Sequence, residues 1–460
     1  MKRPQTPSAG AGTAPKVEHD AVGKSLYSLV SLVEGFDQHM LCMCMRAFEA
    51  SLGLNQSQLS TLMTVSNISR LGCCLIWGLL ADKYKLNHVF AAGLLWMGIF
   101  SIIQSSTSDY KSIIILRILH GFAFACIYPV QQKIVAEDYS DVSCNLIFGT
   151  MQALNCIGSL VCAVVTTRIA RQVILGHYGW RTAYVVLGYV WILFGIAIMY
   201  GMTRGKSEKE RCNAKDKTDV KEVIEVAFSA VFYCKTAGIS IFTLFVAETP
   251  TCAISNMALY LQYLGVSDAM AGVAVATTMI GCALGSGVGG LIIKYISENY
   301  ERRGELYSGI AVLVIRLILC LLFFLWKPPC GTLCWYHYME LAAFGGTLVT
   351  VGGVDRALLK KAIEDKCQAT AAAVIRTISG IASIVILFQI STYLSENVFG
   401  YIPSTAPFET MQVSIKHRNA EALKLSMMYI IVAGTILNIF CYVALLCYAP
   451  EREGDKGKVK

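Results

Sequence analysis

Twelve stretches of about twenty mostly apolar residues leave this chain few ways to fold. A bilayer core about 30 Å thick is crossed by about 20 helical residues, and only a helix or a closed barrel satisfies every backbone amide without water. The stretches cover residues 25–45, 59–80, 88–106, 112–134, 143–166, 181–203, 236–262, 268–293, 306–326, 334–357, 368–392 and 425–448. Hydrophobic residues make up 55% of the 460 and charged residues only 15%, more apolar surface than a water-soluble core can cover. The expectation is an all-α polytopic membrane protein with twelve transmembrane helices.

The formal net charge of +8 does not form one basic face. Lysines and arginines punctuate the connections between apolar stretches, which is the pattern of membrane topology rather than of nucleic-acid binding. With the N-terminus inside, Lys24, Lys83, Lys85, Lys133, Lys294, Lys360 and Lys361 fall on the cytosolic side. Residues 1–24 then read as a disordered cytosolic tail and 25–203 as a first six-helix half. A charged cytosolic linker, 204–235, leads to a second half, 236–448, and a cytosolic tail, 449–460. The outer connection around 394–424, with Pro403 and Pro407, reads as unusually long. Asn55-Gln56-Ser57 is a glycosylation sequon next to the second span.

The two halves repeat one spacing. Asp37 lies 41 residues before Gly78, and Glu248 lies 42 before Gly290. Lys24 and Lys235 each precede their carboxylate by 13 residues. Agreement along two consecutive helices and their loop predicts an internal duplication, hence pseudo-symmetric halves.

An ionisable side chain at mid-bilayer costs at least about 2.5 to 3.5 kcal/mol, so each needs a partner or a water-filled cavity. At about 1.5 Å per residue, Asp37, Arg70 and Arg117 reach comparable depths on spans one, two and four. Glu34 and Asp37 are three apart on one helix face, and their repulsion beside an arginine suits proton exchange. A static salt-bridge network is the alternative. Glu248-Thr249-Pro250 falls near mid-membrane, where proline frees backbone carbonyls beside a carboxylate and makes a candidate substrate or cation site. Arg316 and Glu340 are expected to neutralise each other. His120 reads as packing more readily than as a proton relay. Gly281, Gly285 and Gly289 form a small-residue face for close helix packing.

The run Gly78-Leu79-Leu80-Ala81-Asp82-Lys83 resembles the G-x-L-A-D-R/K signature of the major facilitator superfamily. Arg117-Ile118-Leu119-His120-Gly121 is similar to that family's R-x-x-x-G on helix four, and Gly179-Trp180-Arg181 to its G-W-R opening helix six. The resemblance implies the major facilitator fold and alternating access, with Gly78, Asp82 and Lys83 gating the cytosolic side. Asp37 and Arg117 also resemble signature positions of the Spinster-like branch, whose members look like lipid carriers and in which these two are associated with coupling. Gln38 and Phe124 stand where that branch usually carries Arg and Glu.

The expected function is proton-coupled secondary transport of a small organic solute or lysolipid-like molecule by alternating access; no Walker-type phosphate-binding loop is present, which disfavours a primary ATP-driven pump. The candidate proton-coupling and substrate residues are Glu34, Asp37, Arg70, Arg117, Glu248 and Glu340. Protons, a small-molecule or lipid substrate and the bilayer are the expected partners, with no cofactor, no metal and no nucleic acid. A transporter-shaped receptor that binds without moving its ligand is the rival, and no motif of an intramembrane enzyme is seen. Plasma and endolysosomal or vacuolar membranes are equally compatible.

Overall fold

The computed structural model describes residues 21–448 except 55, 139–140, 171, 175, 300–303, 327–328, 330, 363–367 and 403–410, and within 202–234 only 225, 228, 229 and 231. The terminal tails, nearly all of the linker, Asn55, Pro403 and Pro407 lie outside the described residues.

The helices trace twelve crossings. Span one is Ala21–Leu52, and span two is Gln56–Gly72 continued by Cys74–Lys83. Span three is Leu86–Ser106, span four Tyr110–Phe124 with Ile127–Asp138, span five Asp141–Ile169 and span six Gly179–Gly201. In the second half, span seven comprises Lys235–Ala247, Thr249–Ile254 and Met257–Tyr263, and span eight Asp268–Asn299. Span nine is Gly304–Leu321 with a π-helical end, Leu322–Trp326, and span ten Trp335–Ala362. Span eleven runs from Gln368–Ala382 through Ser383–Leu387 and Phe388–Tyr393 to Leu394–Val398. Span twelve is Val413–Tyr448. Among the described residues, ten helices are long and apolar enough to cross a membrane on length and composition alone. Spans one and ten fall short because they carry the charges: Glu34 and Asp37 on one, Glu340, Asp355, Arg356 and Lys360 on the other. The two least apolar crossings are therefore long helices that bring charged side chains to the interior.

Two boundaries differ from the sequence reading. Span one begins at Ala21, inside the expected tail, and continues to Leu52. Span twelve begins at Val413, so most of the expected long outer connection is helix, with Arg418 Nε donating to Gly400 O at 2.8 Å and Asn419 Nδ2 to Ile402 O at 2.9 Å. Amphipathic helix ends that project beyond the apolar slab escape a hydropathy window.

The halves meet along two seams, span two against span eleven and span five against span eight. Among the described residues, the bonds and close approaches joining the halves lie within about 25 Å of the bundle end that carries the chain termini, at about 1.5 Å per residue. Within the second half, Cβ atoms on Gly281 and Gly285 would stand 1.9 Å from Ala342 O and 2.3 Å from Gly346 Cα, so the small-residue face lets spans eight and ten touch backbone to backbone. Arg181 opens span six by donating to Ser105 O at 2.5 Å and Thr107 O at 3.3 Å, a cation on the C-terminal carbonyls of span three.

Candidate functional site

Asp37 of span one is 4% exposed and lines a cavity of about 30 Å³, room for one or two waters. Trp191 Nε1 of span six donates to Asp37 Oδ2 at 2.7 Å, and His120 Nε2 of span four lies 3.2 Å from the same oxygen. The partners that touch Asp37 are thus a tryptophan and a histidine, and Arg117 acts on it only through its field. Arg117, 2% exposed, stacks 4.9 Å over the Tyr184 ring, and its Nε and Nη2 are buried without a hydrogen-bond partner. Arg70 lines the same cavity and stacks 5.3 Å over Phe124. Neither arginine forms a direct ion pair among the described residues.

Glu34, one turn nearer the terminal end, does not share these partners. It is hydrogen-bonded with Asn155 of span five and feels the fields of Arg356, Arg70 and Arg376. The expected mutual repulsion of Glu34 and Asp37 is therefore divided between two separate sets of cations. Glu248, at the break between the first two segments of span seven, accepts from Arg376 Nη1 at 2.9 Å. The Arg376 guanidinium lies 5.6 Å from the Tyr128 ring centroid, and Arg356 lies 4.7 Å from the same ring. Four arginines (70, 117, 356 and 376) thus gather with three carboxylates (34, 37 and 248) from spans one, two, four, seven, ten and eleven.

Glu340 stands apart. It sits five residues into span ten at the end opposite the termini, half-buried, with His337 beside it. Arg316 is therefore not neutralised by Glu340, because the two lie at different depths. Instead Arg316 donates to the Thr347 carbonyl and feels the field of Asp355, whose Oδ1 accepts from Tyr442 OH at 2.7 Å. That cluster lies wholly within the second half.

At the terminal end, Asp82 is buried and fully engaged. Lys133 Nζ of span four donates to its Oδ1 and to Ala81 O, the latter at 3.1 Å. The Thr370 amide and hydroxyl of span eleven donate to its Oδ2 at 2.7 and 2.6 Å. A Cβ on Gly78 would stand 2.8 Å from Ala373 Cβ and 2.9 Å from Ala369 O, so only glycine admits span eleven at this distance. Lys83 takes no part in this cluster; its ammonium lies 5.8 Å from the ring of the adjacent Tyr84. Lys133 and Lys360, expected on the cytosolic side, are 1% and 7% exposed. Beside them, Gln132 Nε2 donates to Arg356 O at 3.0 Å while Arg356 Nε donates back to Gln132 Oε1 at 3.0 Å.

Arg356, Arg376, the bond of Lys133 to Asp82 and Trp191 escaped the sequence reading. Arg356, Arg376 and Lys133 are ionisable residues inside or just within spans, and the same depth argument applied to spans four, ten and eleven exposes them. Trp191 carries no sequence signal, since an indole on an apolar helix looks like packing.

The model of the major facilitator superfamily matches residues 27–387. A curated relative from Buchnera aphidicola subsp. Schizaphis graminum, described as an uncharacterized transporter, is 23% identical over 182 residues. The match takes in 40% of this chain and 40% of that protein, so about two fifths of the relative's length is spanned. Among solved structures, the transporter FucP in the outward conformation aligns with a TM-score of 0.65 at 13% identity, over 91% of this chain and 98% of that one. The proton:xylose symporter XylE bound to 6-bromo-6-deoxy-D-glucose aligns with a TM-score of 0.63 at 14% identity, over 93% and 95%. At these identities the likeness is one of fold.

Proposed function

The chain belongs to the major facilitator superfamily, and on that premise we propose that it is a secondary carrier of a small organic solute, working by alternating access and coupled to protons through Asp37. The observation that carries this reading is a buried carboxylate in a cavity wall, bonded to Trp191 and touching His120. A carboxylate so placed is costly for scaffolding alone, whereas a carrier that must take up and release a proton at mid-depth needs one. FucP and XylE are described as a fucose:proton symporter and a proton:xylose symporter, which makes coupling to protons a reasonable premise for this fold.

The cycle follows from the seams. With the terminal ends of the halves held together and the Asp37 cavity above them, the bundle has the geometry of a carrier closed on one side. Placing the termini and the linker in the cytosol makes the closed side the cytosolic one, with Gly78 and Asp82 in the gate. Protonation of Asp37 removes its charge and weakens its hold on His120 and the field it exerts on Arg117, so the first half can rearrange around spans one, four and six. A lysolipid-like solute remains as compatible with this cycle as a water-soluble one.

The test is accumulation in proteoliposomes during an uptake screen with and without a proton gradient. Asp37→Asn is expected to abolish accumulation driven by the gradient while substrate exchange at equal pH continues. A static network makes a different expectation: the variant folds poorly, because the contacts that Trp191 and His120 make with the buried carboxylate are weakened. A well-expressed Asp37→Asn that still concentrates substrate overturns the coupling role.

A further inference from the structure

The Asp37 cavity has more positive charge than it can use itself. Its wall holds two guanidinium groups, Arg70 and Arg117, one carboxylate, Asp37, and the imidazole of His120. The carboxylate is already occupied by Trp191 and His120. The arginines are not: both rest on aromatic rings, and Arg117, 2% exposed, keeps Nε and Nη2 without a partner. The carboxylates on the far side do not remedy this. Glu248 is bonded to Arg376 and Glu34 to Asn155, so each reaches Arg70 only as a field.

A buried guanidinium with unmade hydrogen bonds costs several kcal/mol, and a planar fork of N–H donors is matched best by the paired oxygens of a carboxylate or phosphate. Gln38, Ser66 and Asn67 line the same cavity and add neutral polar groups around such a head. The geometry points to an anion subsite: Arg70 and Arg117 receive a carboxylate or phosphate monoester borne by the transported solute. This rests on reading the cavity as the solute's path, and it names the solute's chemical class.

The experiment is equilibrium binding to the full chain in nanodiscs, at fixed pH and ionic strength, with twins that differ only in the anionic group. Glucose 6-phosphate is compared with glucose, succinate with succinamide, and lysophosphatidic acid with monoacylglycerol. An anionic member is expected to bind about tenfold tighter than its neutral twin, equivalent to about 1.4 kcal/mol. Arg70→Gln is expected to remove that preference, and Arg70→Lys to keep part of it. Preference in a soluble pair assigns a soluble organic anion; preference in the lipid pair alone assigns a lipid head group. Neutral twins binding as well as the anions overturn the subsite, as does a preference that survives both Arg70→Gln and Arg117→Gln. Where Arg70→Gln does not fold, the wild-type twins still decide. A chain that binds the anions yet moves nothing argues against the carrier reading alone; one that carries a neutral solute and ignores them argues against the subsite alone.

Discussion

The two seams between the halves lie at the same end of the bundle and are built from opposite materials. Span two meets span eleven through two hydrogen bonds from Thr370 to Asp82, a buried carboxylate held by Lys133 of span four in its own half, beside Gly78. Span five meets span eight mainly through missing side chains: a Cβ on Gly149 would stand 2.5 Å from Ser286 O and 3.2 Å from Gly290 Cα. The sulfurs of Cys156 and Cys282 are in contact further along, and beside this seam Asn145 Nδ2 donates to Glu305 Oε1 of span nine at 2.5 Å. Close-packed backbone is adhesive at any stage of a motion that keeps it parallel, whereas hydrogen bonds onto one buried carboxylate are either made or broken. The first seam is therefore suited to latching and the second to serving as a pivot.

This contrast can be broken at graded cost. Lys133→Met leaves Asp82 buried without its cation, and the expected loss is about 3 to 5 kcal/mol, read as a fall in thermal stability in detergent. Adding Asp82→Asn should restore most of it, and both single variants should slow substrate exchange more than they weaken binding. Rates equal to wild type at matched surface expression reduce the cluster to a passive cap. Thr370→Val removes one of the two span-eleven donors to the carboxylate, worth about 1.5 to 3 kcal/mol, and is expected to raise accessibility of a thiol label placed at Ala369. Gly149→Ala on the other seam forces the backbones apart at about 1 to 3 kcal/mol. Its expected signature is loss of oxidative cross-linking between Cys156 and Cys282, with the Asp82 cluster undisturbed. Lys83→Ala is expected to change stability by no more than about 0.5 kcal/mol, because its side chain joins neither seam.

Sequence reasoning reached the crossings because twelve apolar runs and a repeated spacing are local properties, and it reached Asp82 and Gly78 through a contiguous signature. It placed Asp37, Arg70 and Arg117 at similar depth, and the structure puts all three on one cavity wall. Depth is one coordinate; azimuth around each helix axis is the other, and it is fixed by which helices pack together. Hence His120 and Trp191, rather than an arginine, touch Asp37, and Arg376 meets Glu248. The same missing coordinate explains why Lys133 supplies the cation for Asp82 from fifty-one residues away instead of its neighbour Lys83.

The reciprocal bond between Gln132 and Arg356 bears on how two six-helix units find one alignment. Helices in a lipid-like medium slide past one another with little change in dispersion energy, because a leucine is as well solvated by an acyl chain as by a neighbour. Gln132 grips Arg356 by its backbone carbonyl and its side chain together. A shift of one turn, about 5.4 Å, forfeits both bonds at once and leaves a guanidinium stranded. The pair acts as a vernier, converting a smooth apolar contact into one with a single correct setting.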